Sequence, residues 1–141
     1  MMWIYKDKEI HSHDDLEPKC TDFVYVLSYD NDKYYIGKKA VRAMRKRPPL
    51  KGYKRNRRLL INLPFIDYEG SHDQTEELTV VRKEILYQCT SRKTTTYIEM
   101  ALLIEYHAIF RDDYINENIG GTFFRNSLDG LLPEDKEEFL P

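Results

Sequence analysis

Two β-rich stretches joined by a turn, a later β-branched stretch and one strongly patterned helix predict an α/β (α+β) fold. The expected architecture is a small central three-stranded sheet, mixed or antiparallel, flanked by helices. Phe23 to Ser28 and Tyr34 to Ile36 are dense in β-forming residues, and Asp30-Asn-Asp32 between them are turn formers, so the pair reads as a β-hairpin. A calcium loop is the weaker alternative at Asp30-Asn-Asp32, because the following glycine and distal glutamate are missing. Thr79 to Tyr87 interleaves β-branched residues with charges and supplies the third strand. From Tyr97 to Phe110, apolar residues at 98, 101, 102, 104, 108 and 109 mark the helix, and Ser91 and Thr94 to Thr96 offer N-cap oxygens.

Between and around these elements the chain is less regular. Residues 1–21 are polar and unpatterned, with a break at Glu17-Pro18, and read as an N-terminal extension. Ala40 to Lys46 suits a helical turn or two, ended by Pro48-Pro49. Leu59 to Ile66 is a short apolar stretch broken by Pro64, and Tyr68-Glu-Gly-Ser71 has turn composition. Asp112-Asp113 stops the helix, Tyr114 to Ile119 reads as extended, and Gly120-Gly121 turns the chain. This divides the chain into an extension (1–21), one domain (22–130) and an acidic C-terminal tail (131–141).

Charge is strongly polarised. Half of the 22 Lys and Arg residues lie between Lys38 and Arg58, with no Asp or Glu among them, while the other 120 residues carry all 24 acids against 11 bases. A tyrosine-rich hairpin leading into a one-signed basic segment suggests contact with a polyanion, most simply a nucleic-acid backbone. If six to ten of these bases met phosphates, affinity would fall about 10³–10⁵-fold between 50 and 200 mM salt. Tyr53 within the run could stack on bases, but nothing in the run identifies base-edge readout.

A chain 41% hydrophobic and 33% charged supports a core in a water-exposed protein. No apolar run approaches the ~20 residues of a membrane span, and the N-terminus has no secretory-signal pattern. Cys20 and Cys89 stand apart from one another and from any His spacing, which argues against a disulfide scaffold or zinc site and for a reducing, cytoplasmic setting. His11-Ser-His13-Asp-Asp15 mimics a metal cluster but reads as solvated, and His107 as a partly buried helix residue.

Phe23-Val-Tyr25, followed ten positions after its tyrosine by Tyr35-Ile-Gly37, resembles the two motifs that name the GIY-YIG nucleases, although Phe23 stands where the family has glycine. Arg42 and Arg45 after the glycine, Glu99 early in the helix and Tyr114-Ile-Asn116 beyond it complete the family order over residues 22–120. More narrowly, Tyr35-Ile-Gly-Lys-Lys39, Tyr68-Glu-Gly-Ser71 and Tyr114 to Gly121 look like small bacteriophage-encoded endonucleases of this family. The resemblance implies a GIY-YIG-like sheet with a basic insertion after the second motif strand.

The resemblance also implies a chemistry. Phosphodiester hydrolysis needs an activated water, a partner for charge developing on the phosphate and a stabilised leaving oxygen. Glu99 would hold one Mg2+ or Mn2+, and Tyr25 and Tyr35 would orient or deprotonate the water. Arg45, eight residues after Gly37, would bind the phosphate, with Arg42, Arg55 or Arg57 as substitutes if residues 46–67 form an insertion. Gly37 would allow close backbone approach, and Lys38, Lys39, Arg42, Arg55 and Arg57 would contact DNA. Asn116 would anchor the site, with Asn118 its competitor. Some members carry a histidine one turn beyond the arginine, where this chain has Pro49.

Three functions remain open on sequence alone. The first is a metal-dependent DNA endonuclease acting in the host cytoplasm if phage-encoded. A homodimer would suit double-strand cleavage, though no heptad marks one. The second is a catalytically inactive GIY-YIG-like protein of phage origin that binds DNA or inhibits a host protein, motivated by Phe23 and Pro49. The third, an RNA-binding or ribosome-associated domain, leaves Glu99 and Tyr114-Ile-Asn116 without a reason and ranks last. No membrane partner is expected.

Overall fold

The computed structural model describes residues 1–70, 78–128 and 130–140. Its strands are β1 (Trp3–Tyr5), β2 (Lys8–Ile10), β3 (Asp22–Tyr29), β4 (Tyr34–Ala40), β5 (Arg42–Arg47), β6 (Arg57–Asn62), β7 (Val80–Cys89), β8 (Asn118–Ile119) and β9 (Phe123–Phe124), with helices α1 (Arg92–Glu105) and α2 (Pro133–Phe139). The main sheet has the order β2-β1-β7-β3-β4. Within this sheet, among the described residues, β1 and β7 pair in parallel and the other neighbours antiparallel.

The predicted hairpin and third strand form the antiparallel centre, β7-β3-β4. β3 is covered on both faces, which is why its sequence does not alternate with polar residues. Phe23, Tyr25, Leu27 and Tyr29 enter one apolar cluster with Trp3, Leu16, Val41, Phe65 and Ile85. Val24 enters the other, with Ile36, Leu102, Leu103 and Ile109, where α1 packs on the sheet. Opposite Val24 and Tyr25 the β7 partners are Tyr87 and Ile85, so Leu86 is skipped and a bulge sits beside Tyr25.

The stretch 1–21, set apart in the sequence as an extension, contributes two strands to the sheet. Trp3 is fully buried, packs edge-on against Phe23 and Tyr25 with ring centroids 4.9 and 5.2 Å away, and donates its indole N–H to the carbonyl of Phe65 at 2.9 Å. Three-residue strands bounded by charges carry too little periodicity to be seen in sequence. Lys83 is buried beneath this corner, its amine 4.7 Å from the Trp3 ring centroid and donating to Ile66 O at 2.6 Å.

The helical turn expected at Ala40–Lys46 is instead strand β5, paired with β6 in a separate antiparallel ribbon. A helix would have stacked Arg42, Arg45 and Lys46 on one face with like-charge repulsion. The strand spreads them over two faces and gives Ala43 and Met44 the cross-strand partners Ile61 and Leu60.

Helix α1 starts five residues before its apolar pattern. Ser91 caps it, accepting from Thr94 N–H at 3.2 Å, and Thr95 and Thr96 bond back to the carbonyls of Ser91 and Arg92 at 2.7 and 2.9 Å. It ends at Glu105. His107, expected within the helix, has φ 52° and opens a separate 3-10 turn over Ala108–Phe110. Gly120 and Gly121, at φ 59° and 70°, make the predicted turn, between β8 and β9. The acidic tail contains the exposed helix α2, and the turn read at Tyr68–Ser71 ends outside the described residues. No helix among the described residues is long and apolar enough to cross a membrane.

Because Trp3 ties β1 to both Phe23 and the Phe65 segment, Trp3→Ala should cost about 3–5 kcal/mol of stability, read as a lower midpoint in urea unfolding.

Candidate active site

The hairpin register places Tyr25 directly opposite Gly37. A Cβ at Gly37 would stand 2.6 Å from Tyr25 Cζ and 2.9 Å from Tyr35 Cε1, so only glycine leaves room for the Tyr25 ring to lie across β4. Tyr35, two residues from Gly37 on the same face, has its ring centroid 6.3 Å from that of Tyr25. Tyr68, absent from the sequence-based site, brings a third phenol edge-on to Tyr25 at 5.9 Å. Only its place within a turn-forming motif drew notice in the sequence, because nothing there tells which ring the turn will reach.

Lys38 and Lys39 straddle β4, as consecutive strand residues must. Lys39 lies over the Tyr68 ring, 4.9 Å from its centroid. Lys38 points to the helix side and donates to Thr96 Oγ1 at 2.7 Å. One turn along, Glu99 is partly buried. Burial raises its pKa above the usual carboxylate range, and the charges of Lys38 and Arg92 only partly offset this. It forms no salt bridge among the described residues.

Tyr25 is fully buried and its hydroxyl has no hydrogen-bond partner among the described residues. Burial, then the neighbouring Tyr35, Tyr68 and Glu99, holds its pKa well above the ordinary phenol range. Burial thus opposes ionisation of the Tyr25 phenol.

Asn116 is buried and spans both backbone groups of Ile36: its Oδ1 accepts from Ile36 N–H at 3.1 Å and its Nδ2 donates to Ile36 O at 2.8 Å. Tyr34 N–H donates to Asp113 O at 2.7 Å and Ile115 N–H to Tyr34 O at 2.9 Å, so residues 113–116 line the free edge of β4. Asn118 instead accepts from Gly121 N–H at 2.9 Å and holds the β8–β9 turn. Arg125, which the sequence did not mark, organises this loop by donating to the carbonyls of Ala108, Arg111, Tyr114 and Asn116.

The arginines that follow Gly37 are engaged in different ways. Arg42, expected at the substrate, spends its guanidinium on the carbonyls of His13, Glu17, Pro18 and Cys20 at 2.7–3.2 Å. Arg45 is exposed on the ribbon and donates to Met44 O at 3.3 Å. Arg57 donates to Pro48 O, and Arg55 is exposed in the loop joining β5 to β6. The guanidinium whose charge does bear on Glu99 is that of Arg92, in the first turn of α1.

Among the described residues, no three or more His, Cys, Asp and Glu side chains converge to hold a metal. A single under-compensated, partly buried carboxylate fits a magnesium-like ion that keeps most of its shell from water and phosphate. Cys20 and Cys89 are buried and free, and burial pushes the Cys20 thiol up to about 11.

Two hairpin tyrosines, a glycine that admits one of them, a helix glutamate and an asparagine bracing the second motif strand together are the layout of a GIY-YIG domain. Over residues 3–119 the chain matches the family described as "Putative endonuclease segE, GIY-YIG domain", and it belongs to that family. The match starts at β1, taking in the N-terminal strands. No match was found among curated proteins or among solved structures.

Gly37→Ala should displace the Tyr25 ring and cost about 1–3 kcal/mol by overpacking, seen as a lower melting temperature. Asn116→Ala should cost about 1–3 kcal/mol for each Ile36 backbone group left unpaired, and should speed amide exchange along β4.

Proposed function

We propose that the protein is a metal-dependent DNA endonuclease hydrolysing phosphodiester bonds at the Tyr25–Tyr35–Glu99 cluster. The observation carrying this reading is Glu99: a partly buried carboxylate without an ion-pair partner among the described residues, whose charge acts on the buried Tyr25 hydroxyl and is itself partly offset by that of Lys38. A cation and a phosphate would resolve both imbalances.

In this reading Glu99 holds a Mg2+ or Mn2+ ion, which when bound supplies Lewis-acid stabilisation of the scissile phosphate and leaving oxygen. Tyr35, the more exposed phenol, positions the attacking water, and Tyr25 donates a hydrogen bond within the cluster. Water oxygen bonds to phosphorus as the opposite P–O bond breaks, and the released proton is balanced by protonation of the leaving oxygen. Lys38, Lys39 and Arg92 provide positive charge near the phosphate, while Asn116 holds β4, and with it Tyr35 and Gly37, in place. Arg45, Arg55 and Arg57 serve the DNA backbone away from the reacting phosphate. The substrate setting would be host cytoplasm, with a homodimer needed only for double-strand breaks.

Glu99→Ala should reduce magnesium-dependent nicking of supercoiled DNA by at least about 10²-fold while leaving binding in EDTA near the parent level. Unchanged cleavage by that variant would discard the site. Glu99 must lose its proton to hold a cation, so activity should fail on the acid side at a pH above the ordinary carboxylate range. Because Lys38 pulls that pKa down, Lys38→Met should move the acid limb to higher pH.

One observation favours a second reading, a catalytically inactive GIY-YIG-like binding or inhibitor protein: the Tyr25 hydroxyl is closed off from solvent. DNA binding without cleavage in either magnesium or manganese, over several substrates, would select it.

A further inference from the structure

The β5–β6 ribbon carries charges that oppose its own pairing at one end. Its register sets Lys46 against Arg58 and Arg47 against Arg57, two successive like-charge pairs at the outer end. Like charges directly opposite one another destabilise a strand pair, and an isolated two-stranded hairpin is marginal at best in water. Residues 42–62 contain nine Lys and Arg and no acid, and none of these bases takes part in a salt bridge among the described residues.

The base of the ribbon, by contrast, is firmly held. Arg42 grips four carbonyls of the N-terminal segment, and the main chain of Val41 and Arg42 donates to Thr21 O at 2.8 and 3.1 Å. The His13 Nε2–H points between the carbonyls of Val41 and Leu63, at 3.0 and 2.9 Å. A cationic finger is thus clamped at its root and left unneutralised along its length.

We infer that this ribbon lodges in the major groove of duplex DNA, with both faces turned to the phosphates that wall the groove. The inference deepens the proposed function by naming how the duplex is gripped, and rests on it only for the choice of DNA as substrate. The dimensions agree: six residues per strand extend about 20 Å at ~3.4 Å each, and a two-stranded ribbon fits a groove ~12 Å wide. The deep, narrow major groove of duplex RNA does not admit it. Phosphates on either side would neutralise the charges that the ribbon itself leaves opposed.

Binding of the full chain to a 20-base-pair duplex, measured in EDTA so that cleavage plays no part, tests this. Lys46→Gln/Arg47→Gln/Arg57→Gln/Arg58→Gln should flatten the log–log salt dependence by about 3–4 units, since each lost phosphate contact removes ~0.9. Guanine N7 methylation of the duplex should weaken binding, whereas netropsin in the minor groove should not, and duplex RNA of equal length should bind more weakly than DNA. Lys46→Glu/Arg47→Glu sets carboxylates opposite Arg58 and Arg57, so it should maintain or raise the melting temperature while weakening DNA binding most. An unchanged salt slope in the four-site variant, competition by netropsin without methylation interference, equal binding of duplex RNA, or a raised melting temperature with unchanged affinity would each overturn the assignment. These readings need no catalysis, so nicking and ribbon docking stand or fall separately.

Discussion

Tyr25 lies across from Gly37 in the β3–β4 ladder, and the ring of the one occupies the volume where the other has no side chain. A slip of one residue would reverse every side chain of the hairpin, sending Tyr25 to the helix face and Val24 into the Trp3 cluster. That register is locked from three sides. Phe23, Leu27 and Tyr29 fill one face, Val24 and Ile36 fill the other beneath α1, and the Asn116 amide closes both backbone groups of Ile36 at the edge. The geometry around Glu99 is inherited from the same lock, because Lys38 reaches Thr96 only when Gly37 and Tyr25 face the opposite way.

The two sides of β4 have different tasks. On one, three phenols and Lys39 build a pocket wall in which burial suppresses ionisation of Tyr25. On the other, Lys38 bonds to Thr96 of α1, and its charge partly offsets the burial that opposes ionisation of Glu99. The Glu99 charge still acts on Tyr25, and in the proposed reading these two groups receive a cation and a phosphate.

The central strands were legible because their residues, Phe23 to Ser28 and Tyr34 to Ile36, are β-formers around an unmistakable turn. Glu99 and Asn116 stand out in the sequence only as members of an ordered motif set, and of the two it is Asn116 whose bonding to β4 no local pattern foretells. The amphipathic pattern placed the helix, but it could not place its start, since Thr94 to Thr96 are poor helix formers whose hydroxyls are satisfied by bonding back along the turn. Residues 42–47 misled for a different reason: their preference is decided by Arg57–Asn62, far along the chain, and no local pattern announces a partner. Arg42 and Arg125 were equally unreadable, because an arginine that binds main-chain carbonyls looks in sequence like one that binds phosphate.

The edges of the strands have a consequence for how copies of the molecule meet. Residues 113–116 line the outer side of β4, and β2 at the opposite border is three residues long with Lys8 and Glu9 exposed, so the main sheet offers little template for strand addition. Residues 42–62, which form the β5–β6 ribbon, carry nine Lys and Arg and no acid, a density of like charge that opposes strand addition by another copy. Repulsion of this kind between exposed charges is screened by salt, so it is strongest at low ionic strength.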